Sequence, residues 1–290
     1  WTTGHENGMG VQVNGTYGGM FYGSASLQQQ DPNASLEDED GKDVNSYFMR
    51  GVFAPIVSET EVLHFGLDYA TRSYGNERDG TKFGGAISSN LGVRGINENN
   101  GLNSAALVLA PNDASATAGN TTTGFESDDV VGMEFAYMTG PFSVQSEYLK
   151  RDLSGYGSNG DREATGYNML LAYTLTGESR IYKLDGAKFD AIKPFDKVNG
   201  AWELFYRYDN LNVEDDQTMA TVGGVAIDES SAKVHTLGVN WYANEAVKIS
   251  ASYLMSKSDE DTVKLQNGRF AAGDDDDSGK AISLRAQYVF

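Results

Sequence analysis

Gly279-Lys280-Ala281-Ile282-Ser283-Leu284-Arg285-Ala286-Gln287-Tyr288-Val289-Phe290 closes the chain, and its reading decides the fold. In steps of two from the end, Phe290, Tyr288, Ala286, Leu284 and Ile282 share one face. Val289, Gln287, Arg285, Ser283 and Ala281 share the other. A period of two is that of a β-strand, whose successive side chains point to opposite sides of the sheet. About ten residues with one apolar and one mostly polar face also suit a tilted strand that crosses a bilayer. The stretch therefore predicts a strand with lipid on one side and water on the other.

The same alternation recurs upstream, at 8–17, 20–28, 45–55, 62–73, 130–139, 142–153, 165–176, 201–212, 234–244 and 247–257. It is clearest where Trp202, Leu204, Tyr206 and Tyr208 alternate with Glu203, Phe205, Arg207 and Asp209. No segment sustains a helical period, so the expectation is an all-β chain of about eleven antiparallel strands.

Composition narrows the choice. The formal charge of −19 would suit a soluble acidic β-protein. However, the 16 Tyr and 13 Phe gather on single strand faces, while polar loops carry most of the negative charge. No apolar run of the length a membrane helix needs is present. An acidic chain argues against nucleic acid as partner. The three histidines, His5, His64 and His235, lie far apart and Cys is absent, so no zinc site is expected. Asp274-Asp275-Asp276-Asp277 and Glu37-Asp38-Glu39-Asp40 read as solvated loop tips rather than calcium sites, because neither has the spacing of a calcium-binding loop. No nucleophile elbow, phosphate loop or paired-carboxylate motif stands out, so neither catalysis nor a cofactor is expected.

The connections alternate in length. Those near 18–19, 56–61, 139–141 and 244–245 are short; those at 29–44, 74–129, 213–233 and 258–278 are long, and 154–164 is intermediate. An up-and-down outer-membrane barrel has this segregation, with short periplasmic turns and long extracellular loops. With Phe290 at the periplasmic side, eleven strands leave Trp1 on the opposite side. Bacterial single-chain barrels have even strand numbers, and an open sheet edge in lipid is prohibitively costly. The expectation is a single barrel domain over 1–290 whose N-terminal strands are absent from this sequence.

One connection breaks the alternation: Leu175-Thr176-Gly177-Glu178-Ser179-Arg180-Ile181-Tyr182-Lys183, followed by Phe189-Asp190-Ala191-Ile192-Lys193-Pro194. With Gly200-Ala201-Trp202-Glu203-Leu204-Phe205-Tyr206-Arg207-Tyr208, the pattern of 234–257 and the closing strand, it resembles the phosphate-selective porin O and P family. The terminal Phe also resembles the closing residue of bacterial outer-membrane barrels. The resemblance is good from about 45 to 290 and vaguer before. It implies a sixteen-stranded barrel that trimerises in the outer membrane, in contact with lipid and lipopolysaccharide. It also implies an inward-folded third extracellular loop bearing an anion-binding eyelet. By count, most of that loop precedes this sequence, apart from the 1–8 stretch.

Assigning the aromatic faces to lipid puts Arg50, Arg72, Arg151, Arg207, Lys248 and Arg285 on the lumen side, together with Asp68, Glu134, Glu147, Glu203 and Asp209. Fixed cations in a narrow aqueous channel attract phosphate, and the guanidinium fork matches its oxygens. The competing reading is cross-strand pairing of these charges on a wide wet wall. Arg207 and Arg285 are the stronger candidates, being mid-strand in the segments that carry the resemblance. The expected function is passive diffusion of small solutes, anions such as phosphate foremost. The charge of −19 keeps a general or cation-preferring pore as an alternative, and a structural or docking barrel as another.

Overall fold

The structure, a computed structural model, describes residues 8–30, 44–73, 123–157, 161–215, 220–222, 225–227, 229–258, 264–266, 269–271 and 278–288. Phe290, His5, the 1–7 stretch and both acidic runs lie outside them. Eleven long strands form one antiparallel sheet in sequence order. They are β1 (Gly8–Tyr17), β2 (Phe21–Gln30), β3 (Val44–Val57), β4 (Glu61–Ser73), β5 (Thr123–Thr139), β6 (Phe142–Gly157), β7 (Arg162–Thr174), β8 (Ala201–Asp215), β9 (Glu229–Tyr242), β10 (Val247–Ser258) and β11 (Ser278–Tyr288). Three short ladders, one of them Tyr182–Lys183 with Lys188–Phe189, sit in the connections. No helix occurs among the described residues. Each long strand pairs with its sequence neighbours, and β1 and β11 keep one unpaired edge each among the described residues, so the sheet is not closed.

The alternation read from sequence sets the two faces. Outward side chains such as Leu237 and Leu67, each 58% exposed, alternate with inward ones such as Val62 and Val213, at 0%. This is the inverse of a soluble protein, in which the large apolar side chains lie inside. At the end bearing the short turns, outward aromatics pair across strands: Phe21 with Phe53 at 5.0 Å, Phe65 with Phe135 at 5.7 Å, and Trp202 with Trp241 at 5.9 Å. Tyr47, Tyr69, Tyr167 and Tyr208 lie toward the other end, so the outward face carries an aromatic row near each end.

The strands outrun their apolar alternation. β5 begins at Thr123 rather than 130, and the connection between β6 and β7 shrinks to 158–161, not the intermediate loop expected. Backbone pairing continues beyond the apolar outward band, where polar pairs accompany it. Lys150 bridges Glu163 at 2.7 Å and Asp152 at 3.3 Å. Gly18 and Gly19 reverse the chain between β1 and β2 with φ of 61° and 69°, a backbone region open to glycine at little cost.

Candidate functional site

The inward faces of β6 to β11 enclose a concavity of about 750 Å³, lined by Arg207, Asp209, Glu147, Asn168 and Arg285 among others. Arg207 is mid-strand on β8, and its guanidinium is gripped by Asp209 two residues on, at 2.8 Å from Nε and 2.6 Å from Nη2. With 47% of its side chain exposed, it still offers N–H groups to the open space. Arg285 stands exposed on the inward face of β11. Lys248 on β10 lies over the Tyr242 ring at 5.2 Å, a cation–π contact that fixes its height on the wall.

Higher on the wall the cations turn to carboxylates. Arg72 on β4 makes a bidentate pair with Asp128, at 2.8 Å and 2.6 Å, and Arg151 on β6 donates to the same carboxylate from Nε at 2.9 Å. Asp128 is 1% exposed, so its buried charge depends on such guanidinium partners. Arg162 lies in the same cross-strand row, through Asp128, Leu153 and Arg162, and is buried. The sequence reading missed it because its segment began at 165, where apolar alternation starts.

The exceptional connection, residues 175–200, folds back over the inward face. It leaves β7 and returns to β8, yet its hairpin reaches β3 and β4. Arg50 on β3 binds Glu134 with Nε at 2.8 Å and Nη2 at 2.6 Å, and donates to the carbonyls of Gly186 at 3.0 Å and Ala187 at 2.9 Å. Asp68 adds a contact at 3.4 Å. His64, 4% exposed, meets the Tyr182 hydroxyl at 2.7 Å and Glu134 at 3.0 Å. A neutral imidazole satisfies both when Nε2–H donates to Glu134 and Nδ1 accepts from Tyr182. Burial pushes the Tyr182 phenol up to about 12, so it remains a neutral donor.

The other end of the connection is anchored to β8 and β9. Glu203, 1% exposed, accepts from Arg180, from Asn240 at 2.7 Å and from the Tyr242 hydroxyl at 3.1 Å. Glu178, 2% exposed, accepts the Phe195 amide at 2.9 Å and the Thr176 hydroxyl. Ile192 packs with Ala201 and Tyr242 in a small apolar cluster. The segment is thus a folded cover over the inner wall near the short-turn end.

Two exposed carboxylates hold the cover's outer surface. The Lys183 ammonium and then the Ala191 amide hold Asp190 below the usual aspartate range. The Val198 amide and the Asn199 side chain do the same for Asp196. Both folded-state values are depressed, so their stabilising contribution is complete above the unfolded value of about 3.9 and fades as pH falls through the depressed values. Amide exchange in 190–199 should therefore stay constant from pH 7 to 5 after correction for intrinsic rates, and accelerate below about pH 4. Protection already lost at pH 5 would contradict this assignment.

All six cations expected on the wet side stand on the inward face, but they do not gather into one cluster. Arg50, Arg72 and Arg151 are engaged by carboxylates across strands, as in the pairing alternative, and Arg207 is engaged by Asp209 on its own strand. Arg207, Lys248 and Arg285 face the concavity or its lower rim. Sequence reading marked 175–200 as anomalous, and the only hint of its placement was the pair of charges Glu178 and Arg180 within a turn. On the described inward strand faces, seven cations (Arg50, Arg72, Arg151, Arg162, Arg207, Lys248, Arg285) stand against six carboxylates (Asp68, Asp128, Glu134, Glu147, Glu203, Asp209). These described strand faces thus carry one more cation than carboxylate, whereas the whole chain carries −19.

The family described as Phosphate-selective porin O and P matches residues 1–290. The chain is similar to Porin O of Pseudomonas aeruginosa, with 46% identity over 295 residues, covering 100% of this chain and 62% of that protein. It therefore spans less than two thirds of that relative's length. Among solved structures it is similar to LpxR from Salmonella typhimurium, at a TM-score of 0.30 and 12% identity over 98% of this chain and 88% of that one. It is also similar to the ferric yersiniabactin uptake receptor FyuA from Yersinia pestis, at a TM-score of 0.37 and 13% identity over 96% of this chain and 40% of that one.

Proposed function

The chain belongs to the phosphate-selective porin O and P family, and from that premise we propose that it forms the wall of an outer-membrane channel through which small anions, phosphate foremost, diffuse passively. The family is one of porins, channels and not enzymes. The observation that carries the reading is the inverted wall: apolar outward faces, and polar inward faces on the same strands, with cations in slight excess among the described residues. Both unpaired edges of the sheet would be unsatisfied in lipid, so closure into a larger barrel, sixteen strands in this proposal, belongs to the same reading. A trimer is likewise proposed. The short turns and the cover lie on the periplasmic side, and the long connections outside.

In this mechanism no bond is made or broken. The solute keeps its hydration through most of the lumen, and fixed guanidinium groups lower the barrier where the passage narrows. Arg207 and Arg285 are assigned the anion-facing role, with Lys248 below them. Arg50, Arg72 and Arg151 hold the wall and the cover together. The acidic surface is screened beyond roughly 8–10 Å at physiological salt, so it does not decide selectivity.

The corresponding test measures chloride current through single channels while phosphate is added. Arg207→Gln and Arg285→Gln together are expected to weaken phosphate block by about tenfold or more, consistent with losing two hydrogen bonds from charged donors. Unchanged block in the double variant would remove both from the path. A cation-preferring reversal potential in a KCl gradient would favour the alternative that the net charge of −19 suggests.

A further inference from the structure

We propose that the turn at 195–199 is a membrane anchor, seated through Phe195 and Val198 in the phospholipids of the periplasmic leaflet, and that it fixes the outer edge of the cover to the bilayer. This rests on the outer-membrane reading and on the orientation given above. Phe195 is 76% exposed and Val198 88%. Among the described residues, the other large apolar side chains exposed to that degree, Tyr17, Ile282 and Leu284, all stand on outward strand faces. Tyr173 and Leu175, both exposed, bring the outward apolar surface of β7 down to the same rim.

Geometry ties this turn to the outward wall. Trp241 stands on the outward face of β9, stacked on Trp202 of β8, and its Nε1–H donates to the Asn199 carbonyl at 2.9 Å. Gly200, with φ of 70°, lets the chain press in at this point. A Cβ there would come within 2.4 Å of the Tyr242 carbonyl and 2.7 Å of Trp241 Nε1. Asn199 and Val198 therefore lie at the level of the lower aromatic row, and Trp side chains of membrane proteins gather at headgroup depth. The other end of the segment turns inward, where Ile192 packs with Ala201 and Tyr242. Between Ile192 and Asn199 the chain thus crosses the rim from the wet side to the lipid side.

The polar groups of the turn are arranged to match. The Asp196 carboxylate folds back on its own backbone, accepting the Val198 amide at 2.7 Å and the Asn199 side-chain amide, while the Asp196 carbonyl accepts the Gly200 amide at 2.9 Å. These bonds close a compact turn and occupy polar groups that acyl chains could not satisfy. Lys193, bridged to Glu245 at 3.2 Å, and the exposed Lys197 flank the two apolar side chains. An ammonium on a long stem reaches phospholipid phosphate while its apolar neighbours sit deeper. Because Phe195 and Val198 continue the outward apolar surface past the strand ends, their occupant is the leaflet that covers that surface. The cover is then held from two sides, by Arg50 and Glu203 on the inner wall and by lipid at its rim.

The chain contains no Cys, so a nitroxide can be attached at one introduced thiol. Protein extracted folded from outer membranes is reconstituted into phospholipid vesicles as four labelled variants: F195C, V198C, L237C on the outward wall and D185C in the hairpin over the inner wall. Collisions with oxygen, which concentrates among acyl chains, are compared with those of a nickel chelate, which stays in water. F195C and V198C are expected to share the oxygen preference of L237C, severalfold above D185C. A water-like reading at both, with L237C in lipid, overturns the anchor and leaves the outer-membrane reading intact. Shielding of both from either reagent means that protein covers the turn and overturns the lipid assignment. A water-like reading at L237C would contradict the outer-membrane reading and the anchor together. Phe195→Trp gives a check without a label: its added emission should be quenched by phospholipid brominated near the headgroup, and unquenched emission overturns the site. Phe195→Ser with Val198→Ser should accelerate amide exchange at 193–199 about tenfold in vesicles, with the strand ladders unaltered. Unchanged exchange would mean that protein contacts alone hold the turn, and would overturn the anchor.

Discussion

Glu203→Gln is expected to lower the free energy of unfolding by about 3–5 kcal/mol, the cost typical of removing one partner from a buried charged network. Glu203 is 1% exposed and is the common acceptor for Arg180, Asn240 and Tyr242. Glutamine keeps the shape but not the charge. Arg180, whose side chain is only 14% exposed, would then keep its charge without this carboxylate, and burying a charge so weakly compensated is costly. Asn240 and Tyr242 would lose strength in their hydrogen bonds as well, because a carboxylate is the stronger acceptor. The loss should be read in urea unfolding from lipid vesicles, followed by the fluorescence of Trp202 and Trp241 nearby. A compensating variant, Arg180→Met with Glu203→Gln, removes both charges and should recover a large share of the loss. A change below 1 kcal/mol for Glu203→Gln would mean that water reaches the network and that the cover is not docked there.

Arg50→Ala should release the far end of the cover. Arg50 donates to the carbonyls of Gly186 and Ala187 and holds Glu134 in a fork. Hydrogen bonds from charged donors contribute about 1.5–3 kcal/mol each. With its side chain a quarter exposed, the low end applies, and two such bonds amount to about 3 kcal/mol. Amide exchange of residues 181–190 should accelerate on the order of a hundredfold, with little change in the strand ladders. Because the cover lies over the inner wall, conductance should rise or become noisier in the same variant. Arg50→Lys keeps the charge but loses the fork, so it should fall between. Unaltered exchange and conductance in Arg50→Ala would show that the cover is held without it, by contacts such as those of His64, Glu203 and Ile192.

Much of this was legible from the residues. Alternation in steps of two gave the strand faces, because an outward side chain in lipid and an inward one in water differ in what they tolerate. Leu237 outward and Asn240 inward need no tertiary information. Alternation could not give strand ends, since β5 and β6 continue on polar pairs such as Lys150 with Glu163, which carry no apolar signal. Nor could it give pairing among inward charges. That Arg72 and Arg151 share Asp128 depends on the register of three strands, which local sequence does not encode. The cover was visible only as a connection too long for its place. Its contacts join Arg50 to residues 136 and 137 positions away, beyond any spacing rule.

The most direct test of a channel is current. The protein extracted folded from outer membranes is reconstituted into a planar bilayer, and the reversal potential is measured in a KCl gradient before and after phosphate is added. Stepwise conductance, an anion-selective reversal potential and chloride current that falls with phosphate are the expected results. Folded protein that inserts but yields no ion-permeable steps would contradict the channel itself, and steps with cation preference and no effect of phosphate would contradict its selectivity.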